Sequence, residues 1–121
     1  MTGSIELRAS EFAPGDRWSV SGDHVLHFTS AGNLELWSVS DNRLLWETGT
    51  SKAVKLAMQE DGNLVVYAEG DKPLWASNTS GNPGAYLAVQ DDGNVVIYSG
   101  ARKPLWATGT HPSAKHPKPQ I

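Results

Sequence analysis

Gln59-Glu60-Asp61-Gly62-Asn63-Leu64-Val65-Val66-Tyr67 decides the fold. Its centre, Asp61-Gly62, is a tight-turn dipeptide between alternating apolar positions, the signature of a β-hairpin. Leu56 and Met58 lead into the turn, and Leu64 and Val66 lead out of it. Successive side chains of a strand point to opposite faces, so these four share an inner face. Asn63, Val65 and Tyr67 share the other, where Gln59 and Asp61 can join them.

The pattern recurs on both sides. Leu26-His27-Phe28-Thr29-Ser30-Ala31-Gly32-Asn33-Leu34-Glu35-Leu36-Trp37 aligns with the segments starting at Leu56 and at Leu87, the last reading Leu87-Ala88-Val89-Gln90-Asp91-Asp92-Gly93-Asn94-Val95-Val96-Ile97-Tyr98. Asn33, Asn63 and Asn94 lie 30 and 31 positions apart. Each block is followed by a second signature, Leu45-Trp46-Glu47-Thr48-Gly49-Thr50, Leu74-Trp75-Ala76-Ser77-Asn78-Thr79 or Leu105-Trp106-Ala107-Thr108-Gly109-Thr110. Three such units predict a pseudo-threefold barrel or prism. In each unit the hairpin gives two strands and the Leu-Trp segment a third. The stretch before the hairpin, such as Ser51-Lys52-Ala53-Val54, is expected to give the fourth. Helix signals are lacking. Trp46, Trp75 and Trp106 are equivalent and are expected to share a core at the pseudo-axis; stacking on sugar is the alternative for such large rings.

Composition narrows the class. The chain has 121 residues, enough for one domain with one modest core. The net charge of −3 lacks the basic footprint of a nucleic-acid binder. There is no cysteine, which excludes disulfides and thiolate metal sites. No apolar run approaches membrane-spanning length. The residues from Met1 to Arg8 have no apolar signal-like core, so the expected location is cytoplasmic or non-classically released, unless the chain is a trimmed mature form.

Gln59, Asp61, Asn63, Val65 and Tyr67 spell Q-x-D-x-N-x-V-x-Y, and Gln90, Asp92, Asn94, Val96 and Tyr98 spell it again. The motif, the threefold repeat and the Leu-Trp-Ala segments resemble the bulb-type (snowdrop-like) mannose-binding lectins of monocot plants over residues 4 to 111. The resemblance implies an all-β protein of the β-prism II fold, with three pseudo-threefold four-stranded antiparallel sheets. The lectin domain would span residues 1–111, with repeats at 20–50, 51–80 and 81–111. It implies calcium-independent binding of α-mannose, no cofactor, and a homodimer through the strand around Trp106 to Thr110. In that family the Gln, Asp, Asn and Tyr bond the sugar hydroxyls, Asp and Asn at the axial 2-hydroxyl and Tyr at the 4-hydroxyl, and the Val packs on the ring carbons. The sequence departs from the plant pattern in three ways, one being the broken motif of the first repeat. The disulfide of many plant members falls here on Gly32 and Val54, and residues 112–121 form a Pro- and Lys-rich tail of the kind that is extended or flexible.

The side-chain chemistry points the same way. A pyranose needs fixed donors and acceptors and an apolar surface for its C–H face. Asn and Gln offer a carbonyl and an NH2, Asp accepts, and Tyr does both. Turn formation alone explains Asp61, Gly62 and Asn63, but not Gln59 and Tyr67 in the same register twice. The first repeat has Thr29, Ala31, Asn33, Glu35 and Trp37 at these positions, keeping only Asn33. It is expected to fold but not to bind, with a different ligand or partner surface as the alternative.

Other chemistries are weaker. Asp91 and Asp92 are neighbours and cannot converge on one strand face, and Asp61 and Asp92 lie in different repeats, so no glycosidase pair is expected. His24 and His27 fall on opposite faces, and His111 and His116 lie at or in the tail, so no metal site is expected. Asn78-Thr79-Ser80 matches a glycosylation acceptor but reads equally as a strand end. A protein–protein or bacteriocin-like module on the same fold is the competing reading.

Overall fold

A computed structural model describes residues 4–19 and 21–110 of the chain. There are twelve strands: β1 (Ser4–Leu7), β2 (Ser10–Phe12), β3 (Gly15–Trp18), β4 (His24–Phe28), β5 (Leu34–Ser38), β6 (Arg43–Glu47), β7 (Ala53–Met58), β8 (Leu64–Ala68), β9 (Lys72–Ala76), β10 (Tyr86–Gln90), β11 (Val95–Tyr98) and β12 (Pro104–Ala107). They form three four-stranded antiparallel sheets, ordered β3-β4-β5-β6 for the first repeat, β2-β7-β8-β9 for the second and β1-β10-β11-β12 for the third. No helix occurs among the described residues. The arrangement is the β-prism II architecture.

One expectation is overturned. The fourth strand of each sheet does not come from the stretch before its hairpin. Ala53 and Val54 begin β7 itself, and Ser51 and Lys52 belong to the crossover leading into it. The outermost strands come instead from residues 4–18, which pass along all three sheets in turn as β1, β2 and β3. The physical reason lies in the crossovers: only five residues separate β6 from β7, too few for a turn, another strand and a second turn, and the nine between β9 and β10 are taken up by the junction itself, where Asn82 N–H donates to the Asp61 carbonyl and Ala85 N–H to the Asn82 carbonyl. The signal lay in Glu6-Leu7 and Glu11-Phe12, the same acidic-apolar pair five residues apart, with Asp16 a further five along. Leu7 enters the core and Phe12 packs against it.

The inner faces meet in a single core that includes Leu26, Phe28, Leu34 and Leu36 of the first repeat, Leu56, Met58, Leu64 and Val66 of the second, and Leu87, Val89, Val95 and Ile97 of the third. The alternation read from the sequence therefore holds in each repeat. Trp46, Trp75 and Trp106 close a triangle, with ring centroids 5.5–5.6 Å apart and interplanar angles of 70–75°. Each ring thus offers an edge to one neighbour and a face to another, the favoured arrangement for aromatic quadrupoles.

Each hairpin turn is built alike. In the second repeat Gln59 N–H donates to the Asn63 carbonyl at 2.8 Å and Gly62 N–H to the Gln59 carbonyl at 2.9 Å. Gly62 has φ +94°, and a Cβ there would lie 2.4 Å from the Asn82 carbonyl oxygen. Only glycine meets both requirements. All three sheets also carry a register shift immediately before the aromatic residue at the motif's end, between Leu36 and Trp37, Val66 and Tyr67, and Ile97 and Tyr98. Such irregularities re-aim a side chain.

Candidate functional site

The strand pairing lines up one row across the outer face of each sheet. In the second repeat it reads Glu11, Ala57, Val65, Ala76, and in the third Glu6, Ala88, Val96, Ala107. The valine is the third member in both. It is almost fully covered, at 3% exposure for Val65 and 4% for Val96, so it forms a floor beneath the polar groups. Alanines flank it on both sides, Ala57 and Ala76 in the second repeat and Ala88 and Ala107 in the third.

Around that floor the five motif residues come together. Gln59 Nε2 donates to the Tyr67 hydroxyl at 2.5 Å, and Gln90 Nε2 to the Tyr98 hydroxyl at 2.5 Å. This contact occupies an acceptor position of the phenol and leaves its O–H able to donate outward, while the Gln carbonyl still accepts. Asp61 Oδ1 accepts from Asn63 N–H at 2.9 Å and Asp92 Oδ1 from Asn94 N–H at 3.0 Å. An open groove lined in part by Glu11, Ala57, Gln59 and Asp61 adjoins the second-repeat motif.

The asparagine does more than the sequence suggested. Its side-chain carbonyl anchors the end of the Leu-Trp segment in every repeat. Asn63 Oδ1 accepts from Ser77 Oγ and Thr79 N–H at 3.2 Å each; Asn33 Oδ1 accepts from Thr48 Oγ1 at 3.2 Å and Thr50 N–H at 3.1 Å. Asn94 Oδ1 accepts from Thr108 Oγ1 and Gly109 N–H at 3.1 Å each and from Thr110 N–H at 3.3 Å. The hydroxyls of Thr50, Thr79 and Thr110 donate to the carbonyls of Gly32, Gly62 and Gly93. This explains why Asn33 survives where its neighbours do not. It leaves Nδ2 of Asn63 and Asn94 without a hydrogen bond among the described residues, available to an acceptor. The Ser/Thr pairs were missed as functional support, although Thr48, Ser77 and Thr108 recur in register two residues after each Trp.

The first repeat is closed by its own side chains. Its row is Asp16, His27, Glu35, Glu47. Glu35 accepts from Asn33 Nδ2 at 3.0 Å and from Trp37 Nε1 at 2.8 Å, and Glu47 accepts from the same Asn33 Nδ2 at 2.7 Å. His27 Nδ1 is hydrogen-bonded to Asp16. With no carboxylate at Ala31, Thr29 Oγ1 accepts the turn's Asn33 N–H at 3.0 Å instead. Glu47 and His27 stand where the other sheets have alanine, a difference visible in the aligned segments and not used in reading them.

No family model matches the chain, and neither does any curated protein. Solved structures do. The Japanese Marasmius oreades lectin is 32% identical with a TM-score of 0.81, over 90% of this chain and 92% of that one. A monomeric monocot mannose-binding lectin from Gastrodia elata is 36% identical with a TM-score of 0.69, over 92% and 96%. The mannose-specific agglutinin from snowdrop (Galanthus nivalis) bulbs, complexed with methyl-α-D-mannoside, is 38% identical with a TM-score of 0.67, over 90% and 97%. The chain belongs to the bulb-type mannose-binding lectin family. It is a lectin and not an enzyme.

In this lectin the positions matched to the plant disulfide hold a glycine and a valine, on segments that lie against each other. Gly32 has φ +97°, its Cβ would stand 2.1 Å from the Ala53 nitrogen, and Val54 is 51% exposed. A backbone hydrogen bond from Lys52 N–H to the Ala31 carbonyl, 2.7 Å long, joins the two segments instead. The equivalent link between the second and third repeats runs from Asn82 N–H to the Asp61 carbonyl at 2.9 Å. Asn78 of the glycosylation sequon is exposed with φ +62°, where the other repeats have Gly49 and Gly109 at φ +72° and +75°. Its place is thus that of a strand-end residue in the left-handed region.

His24 and His27 do lie on opposite faces. The His24 ring packs against Gly93, with Nδ1 buried and unbonded. Among the described residues no group of three or more His, Asp or Glu side chains could hold a metal ion. Asp61 and Asp92 lie in different sheets. The strand expected to reach a partner, β12, pairs with β11 of its own chain. The tail at 112–121, with His116, lies outside the described residues, as does His111.

Proposed function

We propose that this lectin binds α-mannose and mannose-terminated glycans, without a metal ion, at two sites: Gln59, Asp61, Asn63, Val65, Tyr67 and Gln90, Asp92, Asn94, Val96, Tyr98. The observation that carries this is the convergence of each motif over a covered valine, with the same Gln–Tyr and Asp–Asn contacts in both sheets. The snowdrop relative's bound methyl-α-mannoside supports it. A site built to bond a given hydroxyl penalises the epimer that leaves its groups unpaired, so glucose and galactose bind more weakly. The lectin unit spans residues 1–111, followed by the 112–121 tail.

The test is calorimetric titration with methyl-α-mannoside, with and without chelator. The expected result is two sites per chain, each with a Kd on the order of mM, unchanged by chelator. Absence of saturable binding by folded protein overturns the reading. Weak sites gain by linkage, and the reading includes a homodimer through the strand around Trp106 to Thr110. A monomer in sedimentation equilibrium removes the dimer and leaves the sugar sites standing.

A further inference from the structure

The two complete motifs are identical, but their tyrosine ends lie in opposite electrostatic surroundings. In the third repeat Tyr98 packs against Tyr86, ring centroids 5.7 Å apart. Tyr86 is covered by the Arg8 guanidinium, 3.9 Å from its ring centroid, and its hydroxyl accepts from Arg102 Nη1 at 2.9 Å. Glu6 serves both arginines, 2.5 Å from Arg8 and 3.7 Å from Arg102. Two cations thus share one carboxylate, and both arginine side chains are more than half exposed.

The second repeat inverts this. Lys55 stands in place of Tyr86, Asp71 in place of Arg102 and Glu11 in place of Glu6. The Lys55 ammonium lies 2.8 Å from Asp71, 3.3 Å from Glu11 and 5.0 Å from the Tyr67 ring centroid. Its one charge is held between two carboxylates. Hydrogen bonding to Asp71, with a smaller contribution from Glu11, raises its pKa above the ordinary lysine value.

The backbone sharpens the contrast. Arg102 has φ +69°, at a turn position where the other repeats have Asn42 and Asp71 with φ +51° and +58°. Asn and Asp are enriched in that region and arginine is not, so a local turn preference does not account for it. Arginine's planar fork matches phosphate and carboxylate oxygens, and only one of Arg102's terminal nitrogens is engaged by Tyr86.

Resting on the mannose reading above, we propose that the third-repeat site is selective for mannosides carrying an anionic group, phosphate or carboxylate, with Arg102 as its specificity residue and Arg8 beside it. The second-repeat site takes neutral mannose and disfavours the same anions. The two sites then sort glycans by charge.

The test uses full-length variants with one site closed: Gln59→Ala with Tyr67→Phe, or Gln90→Ala with Tyr98→Phe. Each is titrated at low salt with methyl-α-mannoside, mannose 6-phosphate and methyl α-mannuronate. The third-repeat site should prefer at least one anionic probe over methyl-α-mannoside by about tenfold, and the preference should shrink as salt screens it; the phosphate and carboxylate arms show which anion it takes. Arg102→Ala should remove the preference and leave methyl-α-mannoside affinity in place. Asp71→Arg should install it at the second-repeat site. Equal discrimination by the two sites, or a third-repeat preference that survives Arg102→Ala, overturns the inference while methyl-α-mannoside binding stands. Failure of methyl-α-mannoside to bind either site of folded protein overturns the mannose reading and this inference with it.

Discussion

Glu35 holds the Nδ2 of Asn33 at 3.0 Å, the amide donor that the other two repeats leave unbonded among the described residues. The same carboxylate takes the Trp37 indole N–H, and Glu47 approaches the same amide from the next strand. A mannose hydroxyl arriving at this face would have to displace charge-assisted hydrogen bonds, which are among the stronger kind. The first repeat is thus occupied by its own residues.

Restoring Thr29→Gln, Ala31→Asp, Glu35→Val and Trp37→Tyr together is therefore insufficient. Glu47 would still hold the Asn33 amide, and His27 would still crowd the floor. A third mannose site is expected only when His27→Ala and Glu47→Ala are added. Calorimetric stoichiometry checks this, rising from two to three only in the six-fold variant; three sites in the native protein would refute it.

Asn33→Ala separates the fold role of the asparagine from its ligand role. It removes the acceptor for Thr48 Oγ1 and Thr50 N–H at the face outside the two proposed sugar sites. Stability should fall by about 1–3 kcal/mol, with mannose binding at the other sites intact. Asn94→Ala should lose comparable stability and also its site. Thermal unfolding beside calorimetry tells the two apart; an Asn33→Ala variant as stable as the parent would contradict the anchoring role.

Tyr67→Phe and Tyr98→Phe probe binding with little effect on the fold, because each hydroxyl bonds only its motif glutamine among the described contacts. Each should weaken its own site by roughly three- to tenfold, the worth of one hydrogen bond of about 0.5–1.5 kcal/mol. The doubly substituted protein should bind a mannan surface far more weakly and melt within a few degrees of the parent. Retention of full mannan binding would place the sites elsewhere.

Glycines at the repeat junctions should be intolerant in a graded way. Gly32→Ala and Gly62→Ala place a Cβ 2.1 and 2.4 Å from backbone atoms of the next repeat, in addition to a positive φ. Gly70 has φ +79° with nothing within 4 Å, so Gly70→Ala should cost only the backbone strain, about 1–2 kcal/mol. The first two should cost more than that. Comparing denaturant midpoints of the three variants checks the order.

Raising pH should release Lys55 late. Its pKa in the folded protein lies above the ordinary value of 10.5, chiefly through Asp71. The stabilising contribution of a group so raised is present below that ordinary value and fades as pH climbs through the folded pKa. Asp71→Asn should move its titration down, as read by NMR of the lysine side chain; an unmoved titration would show that the ion pair does not form in solution.

The sequence by itself determined the repeat, the hairpins, the inner-face residues and the two motifs. These are written in nearest-neighbour terms: alternation with period two, Asp-Gly at each complete turn, and an Asn-to-Trp offset of 13, 12 and 12. It also showed the first repeat's losses at Thr29, Ala31, Glu35 and Trp37. Only the tertiary structure decided where the outer strands come from. β1, β2 and β3 pair with segments as distant as β10, and three- or four-residue strands carry too few residues to announce a partner. It alone decided that Asn63 spends its carbonyl on Ser77 and Thr79, that Glu47 and His27 help close the first face, and that Arg102 and Asp71 set opposite charge beside two identical motifs. Each of these depends on which strands lie side by side, and cross-strand register is fixed by the closed core rather than by local order along the chain.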